Sequence, residues 1–457
     1  MTRDAHSASG GAGNPTRREF LETGGRLAAA SALAGVAIPS VHAADDTTIR
    51  LALIGCGGRG SGAVGDALEA PNGGPVKLWA AADLYAHRME KSLAGLAEEY
   101  KERIDVPADR RFIGFDAYRK AIDCLRPGDV AMITGYAGFR PAHLEYAVEK
   151  GVNVFMEKSF AADVPGLRRV LKAGEAAEKK NLKIAAGLMC RHSVARQELI
   201  KRIRDGELGS VENVRGFRMD GAYALPRRPE DKNALDWQIQ HHYQFFWVSG
   251  GLFIEMSIHQ IDEICWIKDA WPVSAHGLGG RVFRSADHSQ NLDLYGVEWT
   301  FPDGTTATFD ARYQADCRND FATYIQGTKK AAQFSGNIHA ATVHTYKDRR
   351  MAKGNIDWRA DEEPCTPWQA EWRVLLNAIR TDKPHNEARR AVHSNLAAIL
   401  GRAAAHTGKL VTWDEAMASE FRFFPGMDGL TADAPSPIAE DKEGFYPVPV
   451  TGAWKEV

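Results

Sequence analysis

The chain has few cysteines, no excess of either charge and no long hydrophobic run. Its six cysteines among 457 residues form no C-x-x-C pair, so most are expected to be buried thiols, and no disulfide pairing can be assigned. Lysine and arginine (57) nearly balance aspartate and glutamate (59), which excludes the basic surface of a nucleic-acid-binding protein. The apolar run at residues 27–41 is too short to span a membrane, so no stable span is expected. The expected partner is therefore a small, neutral or mildly polar molecule.

The N-terminal segment is predicted to be an export signal outside the fold. Arg17-Arg18 precedes the apolar run, and Val41-His42-Ala43 follows it as a small-residue cleavage site. This order is typical of a twin-arginine signal peptide. We therefore predict a signal peptide at residues 1–45, cleaved after Ala43 or Ala44, which directs the protein through the twin-arginine export machinery to the periplasm.

A glycine-rich loop follows the first strand-like run of the mature chain. Ile49–Ile54 leads directly into Gly55-x-Gly57-x-x-Gly60, and a helix-like segment comes next. In this context the three glycines permit a tight turn, close approach of a pyrophosphate and close packing of helix on strand. A second strand ends at Asp83, near where an acid should contact the adenosine ribose. The pattern favours a dinucleotide-binding loop over an ordinary strand–turn–helix connection.

The order of predicted elements indicates two domains and a tail. Apolar runs alternate with helical patterns from residue 49 to about 189, which predicts an α/β Rossmann domain with a doubly wound parallel sheet at residues 46–190. Its predicted strands are 49–54, 76–82, 129–134, 152–156 and 182–186. Successive strands with short turns then predict an α+β domain with an open, mainly antiparallel sheet at residues 191–425. Residues 426–457 are predicted to be an extended C-terminal tail.

Two charged side chains leave the fourth predicted strand together, Glu157 and Lys158. Ligands of open parallel sheets bind beyond the carboxyl ends of the strands, where the strand order reverses. This position favours a role at the nicotinamide end of a cofactor crevice over a solvated strand end.

An acid and a histidine also share one face of a predicted helix at residues 253–267. Glu255, His259 and Asp262 fall at positions i, i+4 and i+7 of this helix. An acid one turn from a histidine can orient the imidazole and set its basicity, as a general base requires. On spacing alone, a buried histidine that pairs with an acid for structural reasons is as good an interpretation as a general base.

In combination, these motifs and the segment 401–415 resemble the Gfo/Idh/MocA oxidoreductases, the relatives of glucose–fructose oxidoreductase and inositol dehydrogenase. The resemblance implies an NAD(P)-binding Rossmann domain, a second sheet whose face holds a sugar or polyol, and a homodimer or homotetramer. It implies that Lys158 contacts the reacting oxygen, that His259 takes its proton, and that Glu255 fills a site usually held by aspartate. Ser159 stands where the family's Glu-Lys-Pro motif has proline. The Glu255-x-x-x-His259 spacing is similar to that of exported, twin-arginine members.

Two sets of binding residues follow from the motifs and the resemblance. The predicted cofactor-binding residues are Gly55, Gly57, Gly58, Arg59, Gly60, Asp83, Thr134, Glu157 and Lys158. The predicted substrate-binding residues are Arg191, His192, His242, Tyr243 and Asp262, while His241, Phe246 and Trp247 fit a sugar platform and a hydrophobic core equally well. Asp83 favours NAD by repelling a 2′-phosphate, although Arg88 lies within reach of one. No recognised metal-ligand spacing is present, so a zinc site formed by Glu255, His259 and His242 is not predicted.

The sequence therefore predicts an exported NAD(P)-dependent oxidoreductase acting on CH–OH groups of sugars or polyols. Because free nucleotide is scarce outside the cytoplasm, we expect a tightly bound cofactor that leaves with the folded enzyme. Two alternatives stay open at this point. One is a redox-neutral, NAD-dependent glycoside hydrolase, which would release an unoxidised sugar. The other is a non-catalytic sugar-binding protein with a vestigial cofactor fold.

Overall fold

A computed structural model describes residues 47–282, 287–336 and 342–457. The predicted signal peptide at residues 1–45 lies outside the described residues. None of the helices in the described ranges combines the length and apolar composition that crossing a membrane takes. Of the six cysteines, Cys56, Cys190 and Cys265 are buried, and all six are free thiols.

The first sheet has six parallel strands in the order β3-β2-β1-β4-β5-β6. The strands are β1 Ile49–Ile54, β2 Val76–Asp83, β3 Arg111–Ile113, β4 Val130–Ile133, β5 Asn153–Met156 and β6 Ile184–Ala186. The predicted doubly wound Rossmann sheet is confirmed. Its strand order reverses between β1 and β4, which opens a crevice beyond the carboxyl ends of these two strands.

Six helices surround this sheet or follow it directly. They are α1 Gly58–Leu68, α2 Ala86–Tyr100, α3 Ala117–Asp123, α4 Arg140–Lys150, α5 Val164–Lys179 and α6 Val194–Arg204. The Asp163 carboxylate caps α5 by accepting from the Gly166 N–H at 3.0 Å. Helix α1 begins at Gly58, so the last glycine of the loop, Gly60, lies in the first turn of the helix.

The second sheet has nine strands in the order β14-β13-β12-β11-β7-β10-β9-β8-β15. The strands are β7 Val211–Asp220, β8 Ser274–Gly280, β9 Leu294–Thr300, β10 Thr306–Tyr313, β11 Asp320–Gly327, β12 Ala331–Ser335, β13 His344–Tyr346, β14 Ile356–Arg359 and β15 Val411–Thr412. All neighbouring pairs are antiparallel except β7 and β10. The predicted mainly antiparallel sheet is confirmed.

The helices of the second half are α7 Ala234–Gln240, α8 Phe246–Ser249, α9 Leu252–Lys268, α10 Pro367–Arg380, α11 Ala388–Thr407 and α12 Trp413–Ala418. Helices α9 and α11 cover one face of the second sheet, and alternate residues of β9 are buried beneath them. The apolar stripe of α9 therefore forms core, as the helical pattern at residues 253–267 predicts.

Helix α10 returns from the second half of the chain to the first sheet. Trp372 stacks on Phe155 of β5 with ring centroids 4.3 Å apart, and Leu375 and Leu376 join the same core. The side chain of Glu387 also accepts from the Ala186 N–H of β6 at 2.8 Å. The first sheet is therefore completed by residues that lie far beyond the predicted boundary at 190.

The C-terminal tail is extended but anchored in the core. Residues 430–457 contain neither helix nor strand, yet Glu456 is buried, where it pairs with Arg402 and with His406 (Nδ1 to Oε2, 2.7 Å). Tyr446 packs edge-on against Phe245 with centroids 4.7 Å apart. The tail thus holds the second half of the chain together.

Candidate active site

The glycine loop has the geometry that dinucleotide binding requires. Gly55 has a φ of +101°, and its N–H donates to the Ala82 carbonyl at 2.8 Å. A Cβ on Gly60 would lie 2.2 Å from the Gly55 carbonyl oxygen, so this helix residue must be glycine. A Cβ on Gly57 would meet no atom within 4 Å. The space beside Gly57, at the N-terminus of α1, is therefore open to an anionic group.

Asp83 lies at the end of β2, beside this loop. Its carboxylate accepts from the N–H groups of Cys56 at 2.6 Å and Tyr85 at 2.9 Å. These contacts fix the carboxylate and leave it further capacity to accept hydrogen bonds. Arg88 donates to the Tyr136 hydroxyl at 2.6 Å and lies over the ring of Tyr85, so it is already engaged.

A large cavity of about 970 Å³ extends from the glycine loop to the start of α9. It is lined by most of the predicted cofactor residues and by three predicted site residues of the second domain. These are Gly57, Gly58, Arg59, Gly60, Thr134, Glu157 and Lys158, and then His242, Tyr243 and Glu255. Gly55 and Asp83 line a smaller aromatic cavity of about 100 Å³, which shares Gly57, Arg88 and Tyr136 with the large one. The structure thus brings both ends of the predicted site together.

Lys158 and Glu255 meet at the far end of the large cavity. The Lys158 Nζ donates to Oε2 of Glu255 at 2.9 Å and to its main-chain carbonyl at 2.7 Å. Glu255 is only 7% exposed. Burial raises the pKa of its carboxyl, but the nearby charges of Lys158 and Arg140 and the hydrogen bond from Lys158 outweigh burial and hold that pKa below its ordinary value. The peptide bond between Lys158 and Ser159 is cis.

Glu157 connects this end of the cavity to the glycine loop. Its Oε1 lies 2.9 Å from Nε of Arg59, and its Oε2 accepts from the Lys158 N–H at 3.1 Å. Arg59 also pairs with Asp66, two turns further along α1. The carboxylate therefore ties the end of β5 to the first turn of α1.

Aromatic and basic side chains form the wall between the two ends. His242 stacks on Tyr136 with centroids 4.3 Å apart and also contacts Tyr243. Burial lowers the pKa of His242 to about 4, so its imidazole is neutral at pH 7. Arg140 and Gln240 complete the wall.

Sequence reasoning missed Tyr136, Arg140 and Gln240. The first two follow β4 much as Glu157 and Lys158 follow β5. The rule that ligands bind beyond strand ends, applied to β4 as well, would have marked both of them.

Three predicted substrate-binding residues lie outside the cavity lining. Arg191 makes two hydrogen bonds of 2.8 Å to the Asp262 carboxylate, which also accepts from Ser394 at 2.6 Å. His192 is buried 3.4 Å from Glu387. The side chains of Arg191, Asp262 and Ser394 satisfy one another, and the contact between Asp262 and Ser394 fastens α9 to α11. The structure therefore places none of the three predicted residues with the rest of the site.

His259 and the proposed sugar platform are also placed by the structure. His259 is half-buried one turn beyond Glu255 and does not line the cavity. Phe246 and Trp247 are buried in the core, where Nε1 of Trp247 donates to Gln238 at 2.9 Å. The structure therefore favours core over platform for these two rings.

The described ranges, 47–282, 287–336 and 342–457, bear on the possibility of a metal site. Within them, no cluster of three or more histidine, cysteine or acidic side chains is placed to hold a metal ion. The described structure offers no zinc site formed by Glu255, His259 and His242.

Comparison with known proteins establishes what the chain is similar to. Residues 197–333 match the family model of the GFO/IDH/MocA C-terminal domain. No curated protein sequence matches the chain.

Among the solved structures that share the fold of this chain, three matches each cover 80% of this chain and 99% of the solved chain. One is myo-inositol 2-dehydrogenase from Lactobacillus plantarum, with 20% identity and a TM-score of 0.59. A second is scyllo-inositol dehydrogenase from Lactobacillus casei with bound NAD(H) and scyllo-inositol, with 20% identity and a TM-score of 0.59. A third is aldose-aldose oxidoreductase from Caulobacter crescentus complexed with glycerol, with 17% identity and a TM-score of 0.62. The chain therefore has the two-sheet fold of these three enzymes, and its residues 197–333 are similar to the GFO/IDH/MocA C-terminal domain.

Proposed function

We propose that this protein is an NAD(P)-dependent oxidoreductase that transfers a hydride between a tightly held nicotinamide cofactor and a hydroxyl-bearing carbon of a sugar or polyol. The observation that carries this proposal is the continuous cavity from the glycine loop to the Lys158–Glu255 pair. Most of the predicted cofactor-binding residues line the same space as the Lys158–Glu255 pair, as hydride transfer to a bound substrate requires.

The residues around the loop fit a dinucleotide. The N-terminus of α1 would hold the pyrophosphate in the open space beside Gly57, and Asp83 would accept hydrogen bonds from the adenosine ribose. The chemistry that a nicotinamide supplies when bound is the uptake and return of a hydride.

NAD is the proposed cofactor in preference to NADP. The Asp83 carboxylate would repel a 2′-phosphate at the ribose. Arg88, the nearest candidate to bind that phosphate, is held by the hydroxyl of Tyr136 and the ring of Tyr85.

The proton chemistry is assigned to the far end of the cavity. The ammonium group of Lys158 would donate a hydrogen bond to the reacting oxygen and stabilise negative charge as it develops there. The carboxylate of Glu255 orients that ammonium group. His259 is retained as the proton acceptor, and because it lies outside the cavity lining, this role requires the cavity to extend by one turn of α9 when substrate binds.

The substrate class rests on similarity and on the cavity wall. The structural neighbours include enzymes named for inositols and aldoses, both of which carry several hydroxyl groups. Gln240, His242 and Tyr243 offer polar contacts to such hydroxyls. Export to the periplasm by the twin-arginine route and assembly into a homodimer or homotetramer complete the proposal.

Identification of the bound nucleotide tests this function. The mature protein is purified without added cofactor and denatured, and the released nucleotide is separated by chromatography and identified. A second portion of native protein is mixed with inositols, aldoses and glycerol while the absorbance of reduced nicotinamide is followed. We expect NAD in near-stoichiometric amount and reduction by at least one polyhydroxylated compound. A protein that neither carries nor binds NAD or NADP would overturn the proposal.

A further inference from the structure

Arg140 occupies an unusual position for a positively charged residue. It is the first residue of α4, is only 4% exposed and lines the large cavity together with Lys158 and Glu255. Its Nη1 donates to the main-chain carbonyl of Ser159, and its Nε is buried without a hydrogen-bond partner. Among the described residues, no acidic side chain pairs with it directly.

Neither packing nor helix stability explains this placement. A cation in the first turn of a helix opposes the helix dipole, and a buried guanidinium without a paired carboxylate is costly. The nearby charges are those of Glu255 and Glu157, both at the cavity wall. The location of Arg140 is therefore explained by what it does to the groups around the cavity.

The hydrogen bond to Ser159 gives Arg140 a direct effect on Lys158. Ser159 is the residue after Lys158, so its carbonyl fixes the backbone from which the lysine side chain extends towards Glu255. The guanidinium also lies on the same wall as the Glu255 carboxylate and attracts it.

We propose that Arg140 is a positioning residue for the reaction: it holds the Lys158 backbone through the Ser159 carbonyl and places a second positive charge beside Glu255. This inference rests on the proposed function and adds a residue to it. It explains why the guanidinium is buried at the cavity wall without a carboxylate partner of its own.

The charge has a consequence for pH dependence. The groups that face Glu255 are Lys158, Arg140 and His242, together with the hydroxyl of Tyr243. Burial raises the pKa of Glu255, and the charges of Lys158 and Arg140 oppose this effect. Loss of the Arg140 charge should therefore raise that pKa, so that Glu255 becomes protonated and releases Lys158 at a higher pH than in the unaltered protein.

Two substitutions separate the hydrogen bond from the charge. Arg140→Lys keeps the charge but shortens the reach to the Ser159 carbonyl, while Arg140→Gln removes the charge. The matched controls are Arg196→Lys and Arg196→Gln, because Arg196 is also fully buried but pairs with Glu263 away from the cavity. All four are prepared as full-length mature protein carrying its nucleotide.

The readouts are nucleotide content, the single-turnover rate of nicotinamide reduction, and the pH profile of kcat/KM. We expect Arg140→Gln to retain nucleotide, to lose about 100-fold in reduction rate, and to show an acid limb about one pH unit higher. Arg140→Lys should lose about tenfold in rate with an unchanged acid limb. The Arg196 controls should lower Tm and leave the acid limb in place.

Wild-type rate and pH profile in Arg140→Gln would overturn the inference, as would an equal shift of the acid limb in Arg196→Gln. If Arg140→Gln does not fold, an undiminished single-turnover rate in Arg140→Lys overturns the inference instead. If the unaltered protein carries no nucleotide and reduces none, the proposed function has failed. If the unaltered protein turns over substrate and the Arg140 variants do so at the same rate, this inference has failed and the proposed function stands.

Discussion

Lys158 and Glu255 are 97 residues apart in the sequence, and their ion pair joins the end of β5 to the first turn of α9. An acidic group in the first turn of a helix is favourable, because it complements the helix dipole. The Glu255 carboxylate accepts from the ammonium group of Lys158 at 2.9 Å. At the scale of single residues, the site depends on this contact.

Replacement of Lys158 tests that contact. Lys158→Met keeps the length of the side chain but removes the donor, so the rate of nicotinamide reduction should fall by about 10²–10³-fold. Nucleotide content should stay unchanged, because the glycine loop, which is the proposed pyrophosphate site, is intact. Rapid mixing with the substrate found for the unaltered protein measures the rate, and chromatography of denatured protein measures the nucleotide.

His259→Asn is the matched variant for the proton acceptor. A general base contributes about 10²–10⁴-fold, so a comparable loss supports the role of His259. A normal rate in His259→Asn beside a large loss in Lys158→Met would remove His259 from the mechanism. A normal rate in Lys158→Met would contradict the assignment of the whole catalytic end.

At the scale of elements, two glycines of the loop between β1 and α1 have different roles. Gly60 has a role in folding, and Gly57 is part of the proposed binding site. Gly60→Ala would place a Cβ 2.2 Å from the Gly55 carbonyl oxygen, and we expect a loss of about 1–3 kcal/mol in the free energy of unfolding. Gly57→Ala meets no atom within 4 Å, so stability should be unchanged while nucleotide affinity falls. Urea unfolding and titration of nucleotide-free protein with NAD check the two outcomes. Equal NAD affinity in Gly57→Ala and the unaltered loop would contradict the proposed pyrophosphate site.

Elements with a strong local pattern could be predicted from the sequence. The buried strands of the first sheet and the helix predicted at residues 253–267 appear within a few residues of their predicted bounds, because each has a clear apolar run or helical stripe. Strands β3 and β12–β15 were not predicted. They have two to five residues, and β3 and β14 lack a buried face, so their pairing depends on the neighbouring strand.

The same limit applies to the candidate site. Gly55–Gly60, Asp83 and Glu157-Lys158 stand next to strand ends and could be found locally. The pairing of Arg191 with Asp262 joins residues 71 positions apart. Only the tertiary fold shows that these two residues satisfy each other and stay outside the cavity.

The ion pair between Arg191 and Asp262 of helix α9 leads to a prediction about stability. Asp262→Asn would leave the half-buried guanidinium of Arg191 without its carboxylate, and we expect a loss of about 3 kcal/mol in the free energy of unfolding. KM for the substrate should be unchanged, because Asp262 does not line the cavity. Urea unfolding and initial rates of the folded variant check both outcomes.

The control is an ion pair formed by Lys268, the last residue of the same helix. Asp303→Asn removes the carboxylate that pairs with Lys268, and because this carboxylate is exposed to solvent we expect a loss of only about 1 kcal/mol. A large rise in KM for Asp262→Asn without loss of stability would restore Asp262 as a substrate-binding residue.

At the scale of the whole molecule, the tail closes the fold by returning Glu456 to the core. Arg402 binds this carboxylate and also donates to the Gly250 carbonyl at 2.6 Å, just before α9 begins. His406 contacts the other carboxylate oxygen. The last residues of the chain thereby support the helix that carries Glu255.

This buried cluster predicts loss of stability in acid. Burial raises the pKa of Glu456, but the charges of Arg402 and His406 outweigh burial and lower it from 4.5 to about 2. Because its folded pKa is depressed, its contribution is present above pH 4.5 and is lost as the pH falls towards 2. Burial also lowers the pKa of His406 below 6.5, so the fold favours the neutral imidazole and again loses stability as the pH falls.

A double substitution, Glu456→Gln with His406→Gln, removes both titrating groups and leaves Arg402 without its carboxylate. We expect a loss of about 3–5 kcal/mol at neutral pH, and the difference in Tm from the unaltered protein should shrink as the pH falls from 6.5 towards 2. Glu443→Gln, an exposed acid of the same tail, should leave Tm within about a degree at every pH because surface substitutions change stability little. A Tm difference that stays constant across this range would show that the cluster stabilises by packing alone. A Tm equal to that of the unaltered protein at neutral pH would show that the tail does not support the fold.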